Sequence, residues 1–477
     1  MWAREDGCLA VASRVGSHSG MDPSPDSPPV SALLRRIYAL AAPTSLAVAL
    51  QVTAMLAETW LAARQGTLAL SAWAIVFPFV QAMGQMSAGA MGGGVVSAVA
   101  RTLGAGQRRE AAALVAHALV IALALASLFM LGMVVFPRGL LGAIGGPALA
   151  EIAAPYATWL FGLGAIPFWL TNTLASVLRG AGRHGVAARV LVAAWGAYPL
   201  LAWLLMEPLG MGLNGGGIAF GVVFLLAALV MGVVVARGGA GFALTLRVRL
   251  EGRLFWRILS VGLTACTLAV IANLTIILVT MQFARYGVAA VAAYGIVARL
   301  EFLMIPLVFG LGSALTALVG RAVGARDWRT ARRTAWTGGL LAMVLAGAAG
   351  LFVALAPNLV ARAFTADISV VAVAERGLTI VGPAFGGFGL GMALYFASLG
   401  AGRVRWLMAA GVARIVLAVG VGWLLAFPAG LGMDGFFFAV ALGITAYGAL
   451  IASAVRPGVW PGHQPGLATG GHVTLPR

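Results

Sequence analysis

Apolar residues run along this chain in long stretches broken by short polar gaps, near 37–62, 68–99, 111–136, 152–178, 187–209, 216–236, 255–283, 288–320, 334–356, 370–398, 404–427 and 434–455. Runs of about 20 residues are long enough to cross a hydrocarbon core as helices. The strict alternation of an outer-membrane strand is missing from them. The pattern predicts an all-α polytopic membrane protein with twelve transmembrane helices. Residues 1–30 are polar and rich in Ser, Pro and Asp, without the continuous apolar core of a signal peptide, and read as a disordered arm. Met21 stands just before the Pro-rich stretch as a second candidate start.

The two halves repeat one another at an offset of 220 residues: Arg101-Thr-Leu-Gly104 lies over Arg321-Ala-Val-Gly324, Pro137 over Pro357, Gly180-Ala-Gly-Arg183 over Gly400-Ala-Gly-Arg403, and Pro208 over Pro428. At an offset of 221, Ala63-Arg64-Gln-Gly66 matches Ala284-Arg285-Tyr-Gly287. Six spans per half is an even number, so the halves share an orientation and relate by a pseudo-two-fold axis along the membrane normal. The expected organisation is an N-lobe bundle over 31–236, a basic linker over 237–253, a C-lobe bundle over 254–455 and a tail over 456–477, with a central cleft between the lobes that supports alternating access.

Composition narrows the class. With 61% hydrophobic and 9% charged residues, the chain lies far outside soluble globular domains. Its 31 basic residues are all arginine, and the formal charge is +17. These arginines sit in short gaps between apolar runs, where basic residues set topology, so the excess does not indicate nucleic acid as a partner. Arg35, Arg36, Arg101, Arg108, Arg109, Arg179, Arg183, Arg189, the linker arginines, Arg321, Arg326, Arg329, Arg332, Arg333, Arg403 and Arg405 fall on one side, and only Arg64, Arg138, Arg285, Arg362 and Arg376 on the other. The positive-inside rule then makes both termini cytoplasmic, in a cell (inner) membrane. Cys8 and Cys266 form no plausible disulfide framework.

The main candidate for chemistry is Glu58, inside the first apolar helix. A carboxylate in a bilayer costs about 2.5–3.5 kcal/mol or more on insertion scales, so such groups are rare and usually functional. Helical spacing puts Thr44, Gln51, Met55 and Glu58 on one face, which reads as the wall of an internal cavity. The alternative is a glutamate that snorkels toward the headgroups near Arg64. Gln81 and Asn172 are further polar candidates for the cavity lining. Pro43 in the same helix is a candidate hinge, since proline removes a backbone hydrogen bond and permits a kink.

Several short motifs together resemble the multidrug and toxic compound extrusion (MATE) transporters over about 31–455: Leu103-Gly-Ala-Gly106 and Val323-Gly-Ala-Arg326 after spans 2 and 8, Leu178-Arg-Gly-Ala-Gly-Arg183 ending span 4, and the glycines of 210–217 entering span 6. The resemblance implies secondary active efflux of drugs or lipophilic organic cations by cation-coupled antiport. In that family a proline in helix 1 is followed about four turns later by an acidic residue that couples proton or sodium movement to export. By position this role falls to Glu58, with glutamate where aspartate is usual. Many members carry an Asn and an Asp one turn apart in helix 5, whereas this chain reads Tyr198-Pro-Leu-Leu-Ala202. That departure disfavours a sodium site and leaves H+ as the expected coupling ion.

The second half offers no copy of Glu58, whose repeat position is Val279, but places Arg299 and Glu301 deep in span 8 and Arg414 in span 11. These are expected to be buried charges of the C-lobe, with Arg414 a partner for Glu301. Trp60, Trp73, Phe77, Tyr294, Phe302 and Tyr395 are the aromatics expected to reach the cavity and to suit flat cations. The five histidines lie away from the span centres, and no paired-carboxylate or metal-ligand spacing occurs, so no enzyme, cofactor or metal site is expected. The rival reading is a flippase for lipid-linked or polysaccharide precursors, whose cavities need several cations for pyrophosphate. The chain is expected to act as a monomer in the lipid bilayer on a small-molecule substrate.

Overall fold

The structure, a computed structural model, describes residues 29–242 and 249–460. Most of the arm expected to be disordered, part of the linker and most of the tail lie outside the described residues. Among the described residues twelve helices are long and apolar enough to cross a membrane: α1 (Val30–Arg64), α2 (Thr67–Gly104), α3 (Arg108–Val135), α4 (Pro137–Gly180), α5 (His184–Met206), α6 (Leu213–Ala236), α7 (Gly252–Tyr286), α8 (Val288–Gly324), α9 (Trp328–Leu355), α10 (Ile368–Ala401), α11 (Arg405–Ala426) and α12 (Met433–Ala454). No strand occurs among the described residues.

Small departures from the apolar pattern have local causes. The span read from 152 belongs to a longer helix whose first leg is bent away at Gly146, a glycine with φ 79° that takes the left-handed conformation a side chain would resist. Gly66 (φ 105°) and Gly287 (φ 98°) occupy matching positions in the two halves and reverse the chain between α1 and α2 and between α7 and α8. Two π-helical turns, Gln85–Met91 in α2 and Val416–Val421 in α11, insert extra residues that re-aim the side chains beside them.

The helices form two six-helix bundles, α1–α6 and α7–α12. One apolar core fills the N-lobe, around residues such as Tyr156, Phe161, Trp169 and Phe224, and another fills the outer half of the C-lobe around Phe283, Phe385, Phe436 and Phe437. A third cluster joins the lobes at one end, where Ile37, Ala41 and Ala90 pack with Leu311, Leu315, Phe396 and Leu399.

This seam is built by backbone approach. A Cβ at Gly104 would collide with the Arg321 carbonyl, and one at Gly324 with the Arg101 carbonyl, so α2 and α8 cross reciprocally at repeat-related positions. Polar ties reinforce the crossing. Ser97 Oγ donates to the Leu399 carbonyl, Arg321 Nη2 donates to the Ala181 carbonyl at 3.0 Å, and the Glu251 amide donates to His117 Nε2 at 2.9 Å. Farther along α1 the partners belong to its own lobe. The central cleft is therefore closed at the seam, the end that carries the α2–α3, α4–α5, α8–α9 and α10–α11 connections.

Candidate functional site

Glu58 is buried on α1, with 9% of its surface exposed. Tyr156 Oη, from α4, donates a hydrogen bond to Glu58 Oε1 at 2.8 Å. Tyr198 of α5 and Trp73 of α2 turn their polar atoms toward the same carboxyl group. The Tyr198 hydroxyl stops short of a hydrogen bond and is a buried polar atom without a partner. Among the described residues Glu58 forms no ion pair: Arg64, the cation nearest in sequence, instead bonds Glu207 at 2.6 Å and lies 4.9 Å over the Trp60 ring. Glu58 is thus turned into the lobe toward Tyr156 and not toward Arg64. Four helices of one lobe converge on a carboxyl group whose surroundings offer phenol and indole groups rather than a counter-charge.

The other polar positions of α1 lead into a separate pocket nearer the seam. Thr44 and Gln51 line it together with Asn172 and Arg179 of α4, Ala188, Leu191 and Trp195 of α5, and Phe309 of α8. Thr44 is buried and its hydroxyl lies 3.1 Å from His184 Nδ1, while Gln51 and Met55 are half-buried. Asn172 Nδ2 donates to Ser87 Oγ at 2.9 Å, a partner delivered by the π turn of α2. Gln81 is half-buried ahead of that turn and lines neither this pocket nor the one described next. Pro43 sits inside an α1 that continues through it.

In the C-lobe, Glu301 and Arg414 form a buried ion pair between α8 and α11. The guanidinium also lies 5.8 Å from the Phe388 ring and 5.9 Å from that of Tyr447. Arg299 departs from expectation: it is exposed, and it lines a pocket with Phe364, Thr365, Asp367 and Ser369 at the start of α10. Two residues apart on a helix, positions 299 and 301 face about 200° apart, so burial of one does not carry the other. Two expected cavity aromatics are placed elsewhere as well. Trp60 is 57% exposed under Arg64, and Tyr294 stacks on Phe283 at 4.8 Å inside the C-lobe core.

Sequence reasoning missed Tyr156, Tyr198 and Arg179. Tyr198 lies in the segment that departs from the helix-5 pattern, a signal that a substitute group stands there. Arg179 sits in the last turn of α4, one residue before the glycine-rich end, and so looks like a loop arginine; the structure buries it to 3% exposure.

Comparison with known proteins follows the two-lobed geometry. The MatE family model matches residues 43–204 and 264–424, one segment in each lobe. The chain is 27% identical to a probable multidrug resistance protein NorM of Rhodopseudomonas palustris, over 89% of this chain and 90% of that protein. It is also 27% identical to a protein of the same name from Geobacillus kaustophilus; that match covers 59% of this chain and spans only 63% of the relative's length. Among solved structures it resembles the Vibrio cholerae MATE transporter VcmN in the bent form, with a TM-score of 0.83 and 19% identity over 90% of this chain and 98% of that one.

Proposed function

Because this chain belongs to the MatE family, whose members are transporters, we propose that it exports drugs or lipophilic organic cations by proton-coupled antiport with alternating access. The observation that carries the reading is Glu58, a carboxyl group held inside a membrane-spanning bundle with a phenol donor and no cation. Ionised, it accepts the Tyr156 hydrogen bond that ties α1 to α4. Protonated, it loses its charge, so the Tyr156 hydrogen bond weakens, and it gains an O–H that seeks an acceptor of its own. Proton binding thus changes how α1 is held, and Pro43 provides a point at which the helix can bend. A cationic substrate and a proton compete for the same negative charge, which is the coupling rule of an antiporter. Phenols standing where a second carboxylate would help build an oxygen cage support H+ over Na+.

The arginine distribution supports a cytoplasmic seam, so the cleft in this structure faces outward, with both termini inside a cell (inner) membrane and the chain working as a monomer. The flippase reading loses ground because Glu301 neutralises Arg414, leaving Arg179 and Arg299 in different pockets rather than clustered for pyrophosphate.

Everted vesicles loaded by a pH gradient and supplied with ethidium test the proposal. The parent protein exchanges ethidium for protons. Glu58→Gln inserts and folds yet loses at least tenfold in gradient-driven export, while Glu58→Asp keeps part of it. Undiminished export by Glu58→Gln would remove Glu58 from the coupling step.

A further inference from the structure

Two arginines cross the seam in opposite directions. Arg101 of α2 and Arg321 of α8 are repeat counterparts, each three residues before its crossing glycine, Gly104 or Gly324. Each guanidinium sits on the turn that ends a helix of the other lobe. Arg321 Nη2 donates to the Ala181 carbonyl, just past the end of α4, at 3.0 Å, and both Nη atoms lie beside Gly182, 3.6 Å from where a Cβ would stand. Arg101 donates from Nε to the Ser97 carbonyl of its own helix at 3.3 Å and lays Nη1 against Gly402, just past the end of α10, so closely that a Cβ there would collide with it. Ala181-Gly182 and Ala401-Gly402 are counterparts in the repeat, so the exchange is reciprocal.

The seats suit a cation. The last carbonyls of a helix lack intrahelical donors and carry the negative end of its dipole, which favours a guanidinium placed beside them. A glycine at each seat lets that guanidinium approach the backbone itself. Among the described residues neither arginine has a carboxylate within ion-pair distance, so no acid of its own lobe holds either one in place. Closing the outer mouth of the cleft leaves both seats intact. An inward-facing state must break both, because each arginine and its seat belong to different lobes.

We propose that Arg101 and Arg321 form the paired latch of the inner gate, holding the lobes closed at the seam and setting how often the cleft opens at this end, a role that rests on the alternating-access reading. A hydrogen bond from a charged donor is strong enough that losing one raises the ratio of inward-open to outward-open protein by about tenfold. The two ties break in one movement, so their losses multiply.

The test is the rate at which a maleimide labels a seam cysteine in the purified full chain. Ser97→Cys, fully buried where α2 meets Leu399, is the probe, in a background carrying Cys8→Ser and Cys266→Ala. Arg101→Gln and Arg321→Gln should each speed labelling about tenfold, and the double variant should speed it further. Arg108→Ala, at an exposed neighbouring arginine, should leave the rate unchanged. Ala126→Cys, buried in the N-lobe core, should label at one slow rate in all of these backgrounds. If the glutamine variants do not fold, Gly402→Ala decides the matter, since it keeps Arg101 and denies it the seat; labelling should again accelerate at the seam and not in the core. Equal acceleration at Ala126→Cys would overturn the latch by showing a loosened fold. Rates unchanged by the arginine variants, in a protein whose seam labelling still responds to ethidium or to pH, would overturn the latch and leave the transport reading standing. A seam cysteine that labels as slowly as the core one in every variant and condition would refute alternating access at this seam, and the latch with it.

Discussion

The two lobes share a fold and differ in what they do with a buried acid. In the N-lobe, Glu58 meets phenols and no cation; its repeat position in the C-lobe is Val279, and Arg376 and Ala418 stand where Tyr156 and Tyr198 do. In the C-lobe, Glu301 is locked to Arg414, and its repeat position in the N-lobe is Gln81. At the outer rim the contrast reverses: Arg64 pairs with Glu207, while Arg285 lies 5.6 Å over Phe427, the counterpart of Glu207. An acid fixed by a guanidinium has little freedom to change its charge. An acid held by a neutral donor can gain and lose a proton while remaining bonded. The same frame, present twice, thus surrounds its buried acid in two different ways.

The comparison can be broken at its strongest point first. Removing one member of the C-lobe pair, Glu301→Ala or Arg414→Ala, should cost about 3–5 kcal/mol by stranding a buried charge. The double variant Glu301→Met with Arg414→Leu should recover most of that loss in thermal unfolding of the detergent-solubilised protein. Glu58→Gln should cost less than about 1.5 kcal/mol, since it disturbs a single hydrogen bond. Equal losses in the two lobes would erase the distinction between a clamped and a free acid.

The seam should behave symmetrically where the acids do not. Gly104→Val and Gly324→Val should each destabilise by about 1–3 kcal/mol through overpacking, and by similar amounts, because each glycine meets the carbonyl of an arginine in the other lobe, Arg321 or Arg101, and these arginines are themselves repeat counterparts. A large difference between the two would show that the lobes do not share this axis equally.

Finer contrasts lie within the N-lobe. Tyr156→Phe should cost about 1 kcal/mol and slow ethidium export more than Tyr198→Phe, whose hydroxyl makes no hydrogen bond. The smallest effect is expected at the rim. Arg64→Ala breaks an exposed pair of the kind worth about 0–1 kcal/mol and should leave export unchanged. Loss of export in Arg64→Ala would tie the rim to coupling.

The scaffold was legible in the sequence because it is written in long-range regularities: hydropathy over about 20 residues marks the spans, and a constant offset marks the repeat. Glu58 stood out because charge in an apolar run is its own signal. Its partners did not, since Tyr156 and Tyr198 are 98 and 140 residues away along the chain and look like ordinary aromatic residues of apolar helices. The pairing of Glu301 with Arg414 could be anticipated because two opposite buried charges in one lobe need each other. Arg299 and Arg179 misled in opposite directions. Hydropathy places Arg299 deep, but its helical face turns it outward; proximity to a glycine-rich loop makes Arg179 look superficial, but the last turn of α4 aims it into the bundle.

The reciprocal crossing of α2 and α8 also sets a mechanical advantage. Its closest backbone approach lies at the extreme ends of both helices, at Gly104 and Gly324, so both helices extend from that point in one direction as arms. At 1.5 Å per residue, α2 from the crossing to its start is about 55 Å long. A rotation of about 10° at the crossing would therefore carry the far tip through roughly 10 Å. Backbones in close contact slide little, yet by leverage their small turn becomes a displacement as wide as a helix.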